Sequence, residues 1–101
     1  MRFLVLVPAA AIAVATSALA QTAVTPPPGR LLASNCFQCH GTNGRSVSGI
    51  ERLAGKSSSE IYSELLEMRR KGEGDSIMNV HARGYTDAQL RLIADYLSKQ
   101  R

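Results

Sequence analysis

The pentapeptide Cys36-Phe37-Gln38-Cys39-His40 decides the fold of this 101-residue chain. Its two cysteines are the only ones in the sequence, and they stand three residues apart. Side chains three residues apart lie on one face of a helix, so both sulfurs can reach the same bound group. His40 follows immediately, and an imidazole is a common metal ligand. The stretch therefore indicates one metal-containing group held by three side chains.

The spacing C-x-x-C-H is the signature of covalent c-type haem attachment. Cys36 and Cys39 are expected to form thioether bonds to one haem c, and His40 is expected to be the proximal iron ligand. The second ring nitrogen of His40 should donate to a backbone carbonyl, which we expect in the segment 41–55. The predicted cofactor is therefore a single covalent haem.

Three other chemistries use paired cysteines. A thioredoxin-type pair needs a βαβ setting, and the sequence has no strand-like alternation of useful length. A structural zinc site needs four ligands, whereas only two cysteines and two histidines are present, with His81 far from the motif. A disulfide between Cys36 and Cys39 would close a very small loop and contribute little stability. Haem attachment is the interpretation that fits the motif.

Apolar periodicity and capping residues predict an all-α fold with three main helices. Ser57 and Glu60 have the spacing of a capping box, as do Thr86 and Gln89. Glycine-rich segments separate the helices and are expected to be loops. The predicted helices cover residues 30–40, 57–71 and 86–99, and the predicted loops cover 41–56 and 72–85.

Three side chains are candidates for the second axial position on the iron: Met78, His81 and Met68. Met78 is favoured because a loop over the haem face can present one side chain, and His/Met pairs are typical of cytochromes c. His81, three residues on, is the alternative. Met68 belongs to the apolar stripe of the middle helix, where a thioether fills gaps in the core.

The first twenty residues have the pattern of a secretory signal peptide. Arg2 places a positive charge before an almost wholly apolar stretch, and Ala18-Leu19-Ala20 offers a small-x-small cleavage site. The alternative is an uncleaved membrane anchor, but the segment 3–20 is short and interrupted by polar residues and proline. We expect cleavage before Gln21, export to the periplasm and no stable membrane anchor afterwards.

The rest of the chain divides into a linker and one domain. Residues 21–28, with three successive prolines, are expected to be extended, and residues 29–101 form the domain. The net charge is +4, or +3 without Arg2, which is too weak to indicate a nucleic-acid partner.

Several short segments carry a family resemblance. They are Asn35 to Thr42 with Gly44, Leu53-Ala54-Gly55, Gly72-Glu73, Met78, and Gly84-Tyr85-Thr86-Asp87 with Gln89-Leu90. On these residues the chain resembles class I c-type cytochromes over residues 29–100, most closely the small cytochrome subunits of flavocytochrome c sulfide dehydrogenases.

The resemblance implies an electron-transfer protein rather than an enzyme, with His40 and Met78 as axial ligands of one haem. It implies that the protein exchanges electrons with redox partner proteins. If the chain is a sulfide dehydrogenase subunit, that partner is a flavoprotein that oxidises sulfide. Two alternatives remain open. One is a free shuttle to a terminal oxidase or reductase, and the other is an open haem site that binds small ligands or peroxide.

The resemblance also implies that the first and last helices cross, with Leu32 against Ile93, Tyr96 or Leu97. Pro28 occupies the place where such chains usually have a small residue at the crossing, so Gly29 is expected to take that role. No proline follows Pro28, whereas relatives often have one near the carbonyl that accepts the histidine proton.

Overall fold

The structure is a computed structural model that describes residues 1–72, 74 and 76–101. It contains no strand within these residues, so the predicted all-α class is confirmed. Glu73, part of the family resemblance, lies outside the described residues. The helices are α1 (Arg30–Ala33), α2 (Phe37–His40), α3 (Ser58–Lys71), α4 (Ile77–Arg83) and α5 (Asp87–Ser98), with 3₁₀ turns at Ser34–Cys36 and Thr42–Gly44.

Residues 1–27 form no helix or strand and are exposed. None of the helices in the described part of the chain is long and apolar enough to cross a membrane. The division into leader, linker and domain stays a prediction.

Helix α1 packs against α5 where Gly29 meets the α5 backbone. Gly29 has a φ of 81°, and a Cβ atom on it would lie 2.1 Å from the carbonyl oxygen of Leu92. Only a residue without a side chain allows this approach. Gly29 therefore takes the crossing position expected of it, and Leu32 packs against the core that contains Ile93 and Leu97.

Helices α3 and α5 begin where the capping residues predict. The Ser57 hydroxyl accepts from the backbone N–H of Glu60, and Thr86 and Gln89 form a complete, reciprocal capping box. Each of these bonds satisfies an N–H group that has no partner within its helix. The observed bounds lie within one residue of the predicted ones.

The interpretation of residues 72–85 as a loop is wrong. Helix α4 lies inside this segment, and the Ser76 hydroxyl caps it by accepting from the N–H of Met78. The glycines that suggested a loop stand only near its ends, at positions 72, 74 and 84. Residues 77–83, between these glycines, form a short helix that packs against α3 and buries Asn79 and Ala82.

The core is built around helix α5. Leu90, Ile93 and Leu97 are its largest fully buried side chains. Ala33, Leu53 and Ile61 join them from the N-terminal helix, the loop and α3. Because α5 contacts both α1 and α3, it holds the first and the middle helix together in one core.

Candidate cofactor site

A cavity of about 330 Å³ opens next to the cysteine-histidine motif. A smaller cavity of about 100 Å³ adjoins it deeper in the core and shares several of its side chains. The larger cavity is mostly apolar. It is lined by Asn35, Cys36, Cys39, His40, Ile50, Glu51, Leu65, Ile77, Met78, His81, Ala82, Tyr85 and Ile93.

His40 is buried and held in a fixed orientation. Its Nδ1 atom lies 2.6 Å from the main-chain oxygen of Glu51, and because a carbonyl only accepts, Nδ1 must carry the proton. The Nε2 atom is then the nitrogen with a free lone pair for a metal. The predicted hydrogen bond to segment 41–55 is thus present. No sequence signal singles out Glu51, since any residue supplies a carbonyl.

Both cysteines carry free thiols and line the larger cavity. The Cys36 side chain is half-buried, and burial raises the pKa of its thiol above the ordinary value. Redox-active C-x-x-C pairs instead depend on a lowered thiol pKa. The pKa of the Cys36 thiol is therefore shifted in the opposite direction from that of the reactive thiol in such a pair.

Met78 comes to the cavity from the first turn of α4, in a different element from His40. Its half-buried side chain lines both the larger and the smaller cavity, as do Cys36 and His40. Its N–H group donates to the Ser76 hydroxyl at 3.2 Å, which ties its position to the start of the helix. The fold therefore brings Met78, Cys36, Cys39 and His40 to one space.

The two other candidates for the second axial position each reach only one of the cavities. His81 is exposed and lines the larger cavity, one helical turn after Met78. Met68 is half-buried on α3 and lines the smaller one. Met78 is the candidate that lies at both.

Sequence analysis missed the polar contacts at the rim of the larger cavity. The Asn35 amide donates to the Tyr85 hydroxyl at 2.8 Å, and that hydroxyl donates to the Leu32 carbonyl at 3.3 Å. Arg69 in turn donates to the Tyr85 carbonyl at 3.2 Å. The first two bonds join the segment 32–35 to the turn before α5, and the Arg69 bond joins α3 to the same turn. The bonded residues are 50, 53 and 16 positions apart, so no local pattern reveals these contacts.

The donor set fits a haem. Two thiols, one imidazole nitrogen and one thioether surround an apolar space, and a thioether is a typical partner of imidazole on haem iron. In the part of the chain that is described, no three or more His, Cys, Asp and Glu side chains lie together so as to hold a metal ion. The apolar lining of the larger cavity is suited to an apolar macrocycle that carries its own metal.

Comparison with known proteins points the same way. The family model described as "Cytochrome c" matches residues 28–101. The cytochrome subunit of sulfide dehydrogenase from Chlorobaculum tepidum is 38% identical over 72% of this chain. Cytochrome c-552 of Acidithiobacillus ferridurans is 33% identical over 62% of it, and cytochrome c-554(548) of Halomonas halodenitrificans 35% over 64%.

The matches cover different shares of these relatives. The aligned part spans 66% of the Chlorobaculum protein, 27% of the Acidithiobacillus protein and 83% of the Halomonas protein. The aligned segments are 73, 63 and 69 residues long in the same order.

Proposed function

Because this chain belongs to the cytochrome c family, we propose that it is a periplasmic carrier of single electrons with one haem c. The single C-x-x-C-H motif supports the count of one. The apolar leader at residues 1–20 supports export, since covalent haem attachment of this type belongs to exported proteins. Analysis of the protein from a periplasmic extract by mass spectrometry should find a chain that begins at Gln21.

Four side chains are proposed to hold the cofactor. Cys36 and Cys39 fix it covalently, while His40 and Met78 supply the axial nitrogen and sulfur. Bound haem supplies an iron that changes between Fe(II) and Fe(III). The side chains of Leu65 and other apolar lining residues exclude water from this space.

The observation that carries the proposed ligand pair is the position of Met78. Of the three candidate side chains, it alone lines both cavities together with His40. A thioether ligand favours Fe(II) and raises the reduction potential relative to a second imidazole. With both axial positions filled by protein, the site exchanges electrons rather than binding oxygen or peroxide.

The Met78→Ala variant tests this ligand pair. The charge-transfer absorption band of methionine-bound Fe(III) should be present in the oxidised wild-type protein at neutral pH and absent from the variant. The variant should also have a lower reduction potential and bind added ligands. Met68→Ala is the matched control, because Met68 lines only the smaller cavity. A wild-type protein without the band would contradict Met78 as ligand. Binding of added ligands by that protein would then favour the open site, and failure to bind them would favour His81.

We further propose that the electron donor is a flavoprotein that oxidises sulfide. The support is the 38% identity to a cytochrome subunit of sulfide dehydrogenase. The competing proposal is a free shuttle to a terminal oxidase or reductase, supported by two relatives named simply as cytochromes c. Purification of the native protein from periplasm separates the two. A stoichiometric flavin-containing partner favours the subunit, and a lone monomer favours the shuttle.

A further inference from the structure

Glu51 makes one contact through its main chain and another through its side chain. Its main-chain oxygen accepts the proton of His40 Nδ1 at 2.6 Å, and its carboxylate accepts from Lys56 Nζ at 2.6 Å. A movement of Glu51 therefore changes the hydrogen bond of His40. The side-chain contact is able to control the main-chain contact.

Lys56 links Glu51 to the start of helix α3. Its Nζ atom lies 3.6 Å from a carboxylate oxygen of Glu60 and 3.5 Å from one of Glu64, both on α3. Only 18% of the Lys56 side chain is exposed, whereas the three glutamates are more open to solvent. One ammonium group thus holds three carboxylates that would otherwise repel one another.

The loop that carries Glu51 is fixed on its C-terminal side, where the N–H groups of Leu53 and Ala54 donate to the Gly44 carbonyl at 2.9 and 3.0 Å. Residues 47–52 are exposed, and Ser48 and Ile50 make local hydrogen bonds of 3.3 Å to nearby serine hydroxyls. Gly49 stands two residues before Glu51, and no proline restricts the backbone anywhere after Pro28. Besides the bond of its carbonyl to His40 in α2, Glu51 is tied to a helix by Lys56, which reaches Glu60 and Glu64 on α3.

We infer that Lys56 is a positioning residue for His40, which it serves by fixing the Glu51 carbonyl through an ion-pair cluster with Glu51, Glu60 and Glu64. The inference rests on the proposed role of His40 as an iron ligand. A hydrogen bond from Nδ1 raises the basicity of the opposite nitrogen and sets the ring orientation, so its strength affects the metal.

Two variants with opposite changes of charge test this inference. Lys56→Met removes a positive charge and Glu51→Gln removes a negative one, but both break the ion pair. Each should increase the hydrogen-exchange rate of His40 Nδ1–H severalfold, measured by NMR on the reduced haem protein. A mere charge effect would move the two rates in opposite directions. Lys56→Arg keeps a cation at this position, so its exchange rate should equal that of the wild type.

The exchange of core amides in α5 provides the correction for global unfolding. Glu51 is exposed, so Glu51→Gln keeps the test valid even if Lys56→Met fails to fold. Unchanged rates, or rates that shift in opposite directions, overturn the inference.

The reduction potential separates the two proposals. Faster exchange with potentials that shift in the same direction in both variants supports both proposals. Faster exchange with unchanged potentials, or with shifts of opposite sign, supports the role of Lys56 but contradicts His40 as ligand.

Discussion

Helices α4 and α5 follow each other in the chain, yet their side chains have very different surroundings. Helix α5 has twelve residues, a complete capping box and five buried side chains. Helix α4 has seven residues, and its Ile77 and Val80 side chains are 67% and 53% exposed. One face of α4 borders the cavity, where Met78 and Ala82 line the larger space.

The difference shows which part of the fold depends most on protein contacts. Helix α5 buries most of its apolar stripe against α1 and α3, and its Ile93 and Leu97 also line the cavities. Helix α4 has protein contacts on its α3 side but faces the cavity on another. A domain this small often depends on a cofactor for part of its core. Substitutions beside the cavity are therefore expected to change haem attachment and ligation, whereas substitutions in the α5 core are expected to change the free energy of unfolding.

Loss of a haem thioether should have the largest effect. Cys36→Ala removes the half-buried sulfur that lines both cavities, so the variant should retain little covalent haem and fold poorly. Haem staining of a denaturing gel measures the attachment, and amide exchange should show α4 losing protection before α5. Gln38→Ala is the control, because Gln38 is exposed in the same turn. Equal loss of protection in both helices would contradict the comparison.

A cavity in the α5 core should have the next largest effect. Leu97→Ala removes a side chain that is 1% exposed and should lower the free energy of unfolding by about 2–5 kcal/mol. Leu92→Ala, at a side chain that is 39% exposed on the same helix, should change it by about 0.5 kcal/mol or less. Denaturant unfolding of the haem protein measures both. Similar losses in the two variants would show that α5 is not the packed centre.

Removal of the caps compares the two helices directly. Thr86→Ala at α5 and Ser76→Ala at α4 should each cost about 1 kcal/mol of unfolding free energy. Only Ser76→Ala should also weaken the absorption band of the methionine-bound iron, because the Ser76 hydroxyl accepts from Met78 N–H. Loss of the band in Thr86→Ala would instead mean that α5 positions the ligand.

The smallest effect concerns pH. The hydrogen bond from Lys56 to Glu51 raises the pKa of the Lys56 ammonium above its ordinary value of 10.5. Since the pKa is higher in the folded chain, the stabilisation is present at neutral pH and is lost as pH rises through the raised value. It should amount to about 1 kcal/mol or less. The stability difference between wild type and Lys56→Met should therefore shrink as pH rises through the raised pKa of Lys56, and a constant difference would contradict it.

Local patterns predicted the two long helices well because their causes are local. Ser57, Thr86 and Gln89 cap nearby backbone groups, and the apolar stripe of α5 recurs at helical spacing. Helix α4 was missed because the glycines around it dominate the composition of its segment. Its formation depends on the Ser76 cap and on burial of Ala82, and burial is not visible in a seven-residue pattern.

By itself the sequence determined the chemistry of the motif, because the spacing of Cys36, Cys39 and His40 is a property of one helical turn. It also determined the all-α class through the periodicity of the helices. Only the tertiary structure decided which carbonyl accepts the His40 proton and which distant thioether shares the cavity with it. Those choices depend on contacts between residues far apart in the chain, such as Glu51 with His40, and no local spacing encodes them.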